Sequence, residues 1–136
     1  MKINKLWGGR FEKLPSKDMV GFLSGRDVKG LPPCDKALVP YDLWGSRTHV
    51  IMLCHQGILS KGDGKKILKG LRELETLFRK GKFKLDPSKE DVHSNIESFL
   101  IERLGMESGG KVHTGRSRND QIVLDMRLYL RDEVLE

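Results

Sequence analysis

The densest group of reactive side chains is Lys111-Val112-His113-Thr114-Gly115-Arg116-Ser117-Arg118-Asn119-Asp120-Gln121. Two guanidinium groups, an imidazole, two hydroxyls and two amides crowd one stretch that runs into a helix expected from about Ser117. Unpaired N–H groups and the positive end of the helix dipole collect at such a terminus and attract anions. Arginine grips a carboxylate or phosphate with two parallel hydrogen bonds. Asn119 can donate to a carboxylate or an oxyanion. The residue types therefore describe an anion-binding corner for a small carboxylated or phosphorylated ligand. They equally describe a helix cap, with Ser117 capping, Asp120 favouring the dipole and the arginines solvated.

A second group is Glu90-Asp91-Val92-His93-Ser94-Asn95. His93 falls in the first turn of an expected helix, where a nearby carboxylate such as Asp91 would favour its charged form. The plainer alternative is a cap with His93 as an ordinary surface histidine. A third group is Leu6-Trp7-Gly8-Gly9-Arg10-Phe11. Its adjacent glycines permit a tight turn or a close backbone approach, or simply a bend in an arm anchored by Trp7 and Phe11. It lacks the spacing of a phosphate loop. A metal site is not expected. His49, His55, His93 and His113 lack paired-ligand spacing, and Cys34 and Cys54 lie far from His93 and His113 in sequence.

The elements that must position these groups read as helices. Residues 1–33 carry many glycines and prolines and no clear helical period, so an extended, loop-rich arm is expected. Tyr41, Trp44, Thr48, Ile51 and His55 form one helical stripe, widened by Leu43, Val50, Leu53 and Cys54, over about 38–56. Pro40 suits the first turn and Gly57 the stop. Ser60 with Asp63 opens a second helix, carried by Ile67, Leu68, Leu71, Leu74, Leu77 and Phe78 and ended by Gly81. The short connection favours a helical hairpin. Ser88 and Asp91 repeat the start signal, Val92, Ile96, Phe99, Leu100 and Leu104 line one face, and Gly105 closes that helix. Residues 106–116 read as a loop.

The last helix is apolar all round (Ile122, Val123, Leu124, Met126, Leu128, Tyr129, Leu130, Val134, Leu135), a pattern expected of a buried helix. The pattern reaches Glu136 without a stop signal, which implies a truncated helix whose partners lie outside these residues. The expected fold is mainly α. It consists of an extended arm with a loop insertion (1–37), an N-terminal helical domain (38–116), and the start of a truncated bundle helix (117–136).

Composition narrows the function classes. The 136 residues carry 25 Lys+Arg against 19 Asp+Glu, a net charge of +6. Seven of the bases, against three acids, fall in residues 1–30, interleaved with Gly, Pro and Ser, whereas residues 110–136 carry five of each sign. A nucleic-acid footprint is usually a clustered patch or stripe, and none is present. No apolar run approaches the ~18 residues that span a bilayer, and the N-terminus has no signal-peptide core. Two cysteines without close spacing fit reduced thiols in a cytoplasmic protein better than a disulfide scaffold.

Three stretches together resemble the argininosuccinate lyases of the fumarase/aspartase superfamily. These are LWGGRF at 6–11, EDVH at 90–93 and HTGRSRNDQ at 113–121, with GSRTHVIML, QGIL and GKFKLDPSKEDVH between them. Residues 24–37 look like an insertion. The resemblance implies reversible β-elimination of argininosuccinate to arginine and fumarate, with no metal or organic cofactor. It further implies a homotetramer built on a long helical bundle, with each active site shared among three subunits. Carried over residue by residue, it places Ser24, Thr114, Ser117, Arg118 and Asn119 against substrate, with His93 in a supporting role. The family's Thr-His pair and Gly-Ser-Ser loop do not occur in these residues, so this segment alone is expected to be inactive. The lens delta crystallins share the fold and these motifs, so a non-enzymatic structural role is the alternative that the resemblance leaves.

Overall fold

The computed structural model describes residues 16–23, 34–86, 88–89 and 91–135. Within them lie six α-helices: α1 (Lys17–Leu23), α2 (Val39–His55), α3 (Lys61–Arg79), α4 (Val92–Leu104), α5 (Met106–Gly109) and α6 (Arg118–Leu135). Two 3₁₀ turns, Cys34–Leu38 and Gly110–His113, lead into α2 and follow α5. The described residues contain no strand, as the mainly α expectation requires.

The helix boundaries have local causes. Pro40 sits in the first turn of α2, where its missing N–H leaves no partner unsatisfied. Ser60 Oγ accepts from the Asp63 N–H at 3.0 Å and starts α3. Asp91, rather than Ser88, caps α4, its carboxylate accepting from the Ser94 N–H at 2.6 Å. Gly57, Gly81 and Gly105 follow α2, α3 and α4 with positive φ, the left-handed turn that glycine makes without strain.

The core lies between α2, α3 and α4. Val39, Leu43, Val50 and Leu53 meet Ile67, Leu71 and Leu74 from α3 and Val92, Ile96 and Leu100 from α4. Fully burying each such side chain contributes ~1.5–3 kcal/mol. Glycine sets two of the contacts. A Cβ at Gly64 would collide with Cys54 Sγ, and one at Gly109 would lie 2.6 Å from the Leu100 carbonyl carbon and oxygen. The helices close to these distances because no Cβ intervenes. The expected faces of α3 and α4 agree with the buried sets.

Three expectations are corrected. First, residues 16–23 are not extended arm, because Ser16 Oγ accepts from the Met19 N–H at 3.1 Å and α1 follows. Second, the leading stripe on α2 faces outward, with Trp44 46% and Ile51 57% exposed, while Leu43, Val50 and Leu53, expected only to widen it, are the buried residues. The inner face of α2 contains Asp42 and Ser46 and so does not read as apolar. Third, residues 106–116 are largely ordered into α5 and a 3₁₀ turn.

α6 buries Gln121 and Asp125, while Ile122, Val123, Leu124, Met126, Leu130, Val134 and Leu135 are exposed. Tyr129 packs edge-on against Tyr41 of α2, with ring centroids 5.9 Å apart, so the side facing the described structure is mixed, while much of the remaining apolar surface is uncovered. Ser24 and the 6–11 stretch fall outside the described residues.

Candidate functional site

The loop before α6 is held at several points. Gly115 turns with φ 63°. The Thr114 carbonyl accepts from His49 Nε2 at 2.9 Å, which ties the loop to α2. Ser117 Oγ accepts from the Asn119 N–H at 3.2 Å, and Asp120 Oδ2 accepts from the Ser117 N–H at 3.3 Å. These two bonds form a reciprocal cap on α6. On the other side, Lys111 Nζ and Ser108 Oγ both donate to Asp63 at the start of α3 (2.7 and 3.0 Å). Lys111, with Ser60 and Ser108, holds the Asp63 carboxyl at about 2.

The two arginines of the loop point in different directions. Arg116 turns inward, with its side chain 6% exposed, and donates from Nη1 to Ser46 Oγ at 3.0 Å. Ser46 Oγ in turn donates to Asp42 Oδ1 at 3.0 Å. Arg118 lies across the surface. Its Nη1 donates to Gln121 Oε1 at 3.1 Å, its Nη2 faces Glu97 at 3.5 Å, and its Nε lies 3.6 Å from Asp91. Asn119 is exposed in the first turn of α6 and Thr114 is half-buried. Thr114, Ser117, Arg118 and Asn119 thus gather at one corner.

His93 is no surface histidine. It is 2% exposed, and its Nδ1 lies 3.1 Å from Asp42 Oδ2 and 3.6 Å from Asp125 Oδ2. Its carboxylate partners come from α2 and α6 and not from the neighbouring Asp91. Gln121 Nε2 donates to Asp42 Oδ1 at 2.7 Å. His93, Arg118, Gln121, Ser46, Glu97 and His113 all line one narrow crevice. A larger open cavity of about 600 Å³, lined by Lys36, Arg79 and Lys84 with Phe78 and Phe83, contains none of these residues.

The electrostatics of the buried cluster follow from desolvation set against neighbours. Burial pushes the Asp42 carboxyl up, but hydrogen bonding and charge from His93, the Gln121 amide and Arg116 outweigh it and hold Asp42 below the ordinary carboxylate range. Asp125 accepts no such hydrogen bond. Burial, then the Asp42 charge, push it up to about 7, against opposing pulls from His93 and Arg116. Neither Asp125 oxygen has a hydrogen-bond partner, and neither does Arg116 Nη2. Burial lowers the Arg116 guanidinium and the His113 imidazole. The ligand atoms of Asp42, His93 and Asp125 lie within 4.8 Å of one another. The Arg116 guanidinium, a fixed cation, already faces these carboxylates and compensates their charge.

Asp42, Ser46, Glu97 and Asp125 were not singled out by sequence. Their signal is weak: Asp42 with Ser46, and Gln121 with Asp125, are polar pairs at i, i+4 on helices otherwise rich in apolar residues.

A family profile described as "Lyase" matches residues 37–136, and the chain belongs to that lyase family. Among curated proteins it is similar to the argininosuccinate lyase of Geobacter metallireducens, 46% identical over 136 residues, covering 100% of this chain and 28% of that protein. The argininosuccinate lyase of Ruthia magnifica is 45% identical over 134 residues, covering 98% of this chain and 26% of that protein. That of Staphylococcus haemolyticus is 44% identical over 133 residues, covering 98% and 27%. The chain thus spans about a quarter of the length of these relatives. Among the described residues, no helix is long and apolar enough to cross a membrane.

Proposed function

We propose that this segment contributes the N-terminal part of an argininosuccinate lyase. The reaction is a β-elimination. A base removes the proton next to a carboxylate, the carbanion is held as an aci-carboxylate, and the guanidinium of arginine leaves with a proton from an acid. Fumarate is the second product. The reaction asks for fixed donors facing a carboxylate that gains charge in the transition state.

The observation that carries this reading is the similarity to argininosuccinate lyases over 98–100% of the chain at 44–46% identity. The corner at the start of α6 supports it chemically. Arg118 and Asn119 sit in the first helical turn, where backbone N–H groups and the dipole favour an anion. In this reading Arg118 and Asn119 bind the succinate-side carboxylates, with Thr114, Ser117 and Ser24 beside them. His93, locked by Asp42 beneath the corner, orients groups and does not itself take the key proton. The site would be completed by a Thr-His pair and a Gly-Ser-Ser loop outside these residues, supplied within a homotetramer. Cytoplasmic location and independence from cofactors belong to the same reading.

The test is fumarate absorbance with argininosuccinate as substrate, using the complete lyase that carries this segment. Arg118→Lys is expected to lower kcat/KM ~10²-fold or more, as loss of an oxyanion donor does. Activity within a few-fold of the parent would overturn the assignment of Arg118.

A further inference from the structure

We propose that Gln121 is a positioning residue that couples the buried Asp42–His93 pair to the Arg118 guanidinium and so fixes the direction in which Arg118 presents its remaining N–H groups. The inference rests on the reading of Arg118 as a carboxylate-binding residue.

Gln121 is 6% exposed and lies one turn into α6. Its two amide atoms face opposite kinds of partner. Nε2 donates to Asp42 Oδ1 at 2.7 Å, and Oε1 accepts from Arg118 Nη1 at 3.1 Å. Reversing the amide would set NH₂ against guanidinium and carbonyl against carboxylate, so the chemistry of the neighbours dictates its orientation. Asp42 is itself immobilised, by Ser46 from within α2 and by His93 from α4. The connection therefore runs from two packed helices, through one side-chain amide, to the exposed corner.

The other contacts of Arg118 are looser. Glu97 Oε2 stands 3.5 Å from Nη2 and Asp91 Oδ2 stands 3.6 Å from Nε. Ion pairs at such distances attract without fixing an angle, whereas a hydrogen bond near 3 Å is directional. Gln121 thus supplies the directional restraint and the carboxylates supply charge. Glutamate here would set a carboxylate against Asp42. Methionine would fill the space but leave Arg118 Nη1 and Asp42 Oδ1 without this partner.

The competing view is that Gln121 merely fills a polar interior. A double-mutant cycle in the complete lyase separates the two. Gln121→Met is expected to lower kcat/KM for argininosuccinate ~10–100-fold, the scale of a misplaced binding group. In an Arg118→Lys background the same change is expected to add less than about twofold, because the group being positioned is gone. Losses that multiply independently, or a lowered Tm with kcat/KM intact, would overturn the inference. If Gln121→Met does not fold, Gln121→Asn enters the same cycle, since it keeps an amide in the polar interior but is too short to reach both Asp42 and Arg118. Its loss should also shrink when Arg118 is replaced, and an equal loss in both backgrounds overturns the inference. An Arg118→Lys enzyme that works normally removes the reading of Arg118 and this inference with it. A crippled Arg118→Lys enzyme beside an unaffected Gln121 variant removes only the role of Gln121.

Discussion

The two flanks of α2 are built by opposite means. Toward α3 and much of α4 it presents Val39, Leu43, Val50 and Leu53, which meet leucines, isoleucine and valine. Toward α6 and the first turn of α4 it presents Asp42 and Ser46, which meet Arg116, Gln121 and His93 beside Asp125. Both flanks are closed to water. The apolar flank is held by non-directional burial, so each side chain contributes roughly in proportion to its area. On the polar flank, removing one member strands another, and the loss exceeds what the pair contributed. The apolar flank can hold helices together. The polar flank can hold one guanidinium at one angle.

The contrast breaks most visibly at Arg116. Arg116→Met should destabilise the fold by ~3–5 kcal/mol, because Asp42 and Asp125 lose their buried cation. The loss should be greater at pH 8 than at pH 5, since Asp125, at about 7, is protonated at the lower pH. Urea unfolding at the two pH values measures this, and equal losses would mean that the cluster does not respond as a unit. On the other flank, Leu71→Ala should cost ~2–5 kcal/mol by transfer and cavity formation, with the same value at both pH values.

The smallest effect has the opposite sign. The folded-state pKa of Asp125 is raised above its ordinary 3.8, so the folded form holds the proton more tightly than the unfolded chain. Its contribution is favourable at low pH and is lost as pH rises from about 4 through 7. Asp125→Asn should therefore raise stability at pH 8, by on the order of 1–3 kcal/mol, and change little near pH 4. A Tm gain that is flat across this range would contradict the burial of a charge-prone carboxyl.

How much of this was legible in the sequence follows from the same contrast. The apolar flank announces itself by period: Ile67, Leu71 and Leu74, and Val92, Ile96 and Leu100, were placed correctly, and the stop glycines ended the helices where expected. The polar flank does not. Asp42 and Ser46 occupy inward positions and interrupt the apolar pattern there, so the leading stripe of α2 runs along Trp44 and Ile51, with the buried Leu43, Val50 and Leu53 only widening it. His93 looked like a cap neighbour because its partners, Asp42 and Asp125, are far away in sequence. The corner formed by Thr114, Ser117, Arg118 and Asn119 was legible as a group because its members are consecutive or nearly so. The opposite directions taken by Arg116 and Arg118 were not, since two arginines in one loop carry no mark of which one turns inward.

The contact between His49 and the Thr114 carbonyl has a consequence for the corner. A carbonyl oxygen can only accept, so Nε2 of His49 must carry a hydrogen. The neutral Nε2–H tautomer and the imidazolium both provide one. The latch on the loop therefore asks only for that one hydrogen and for no charge on the ring.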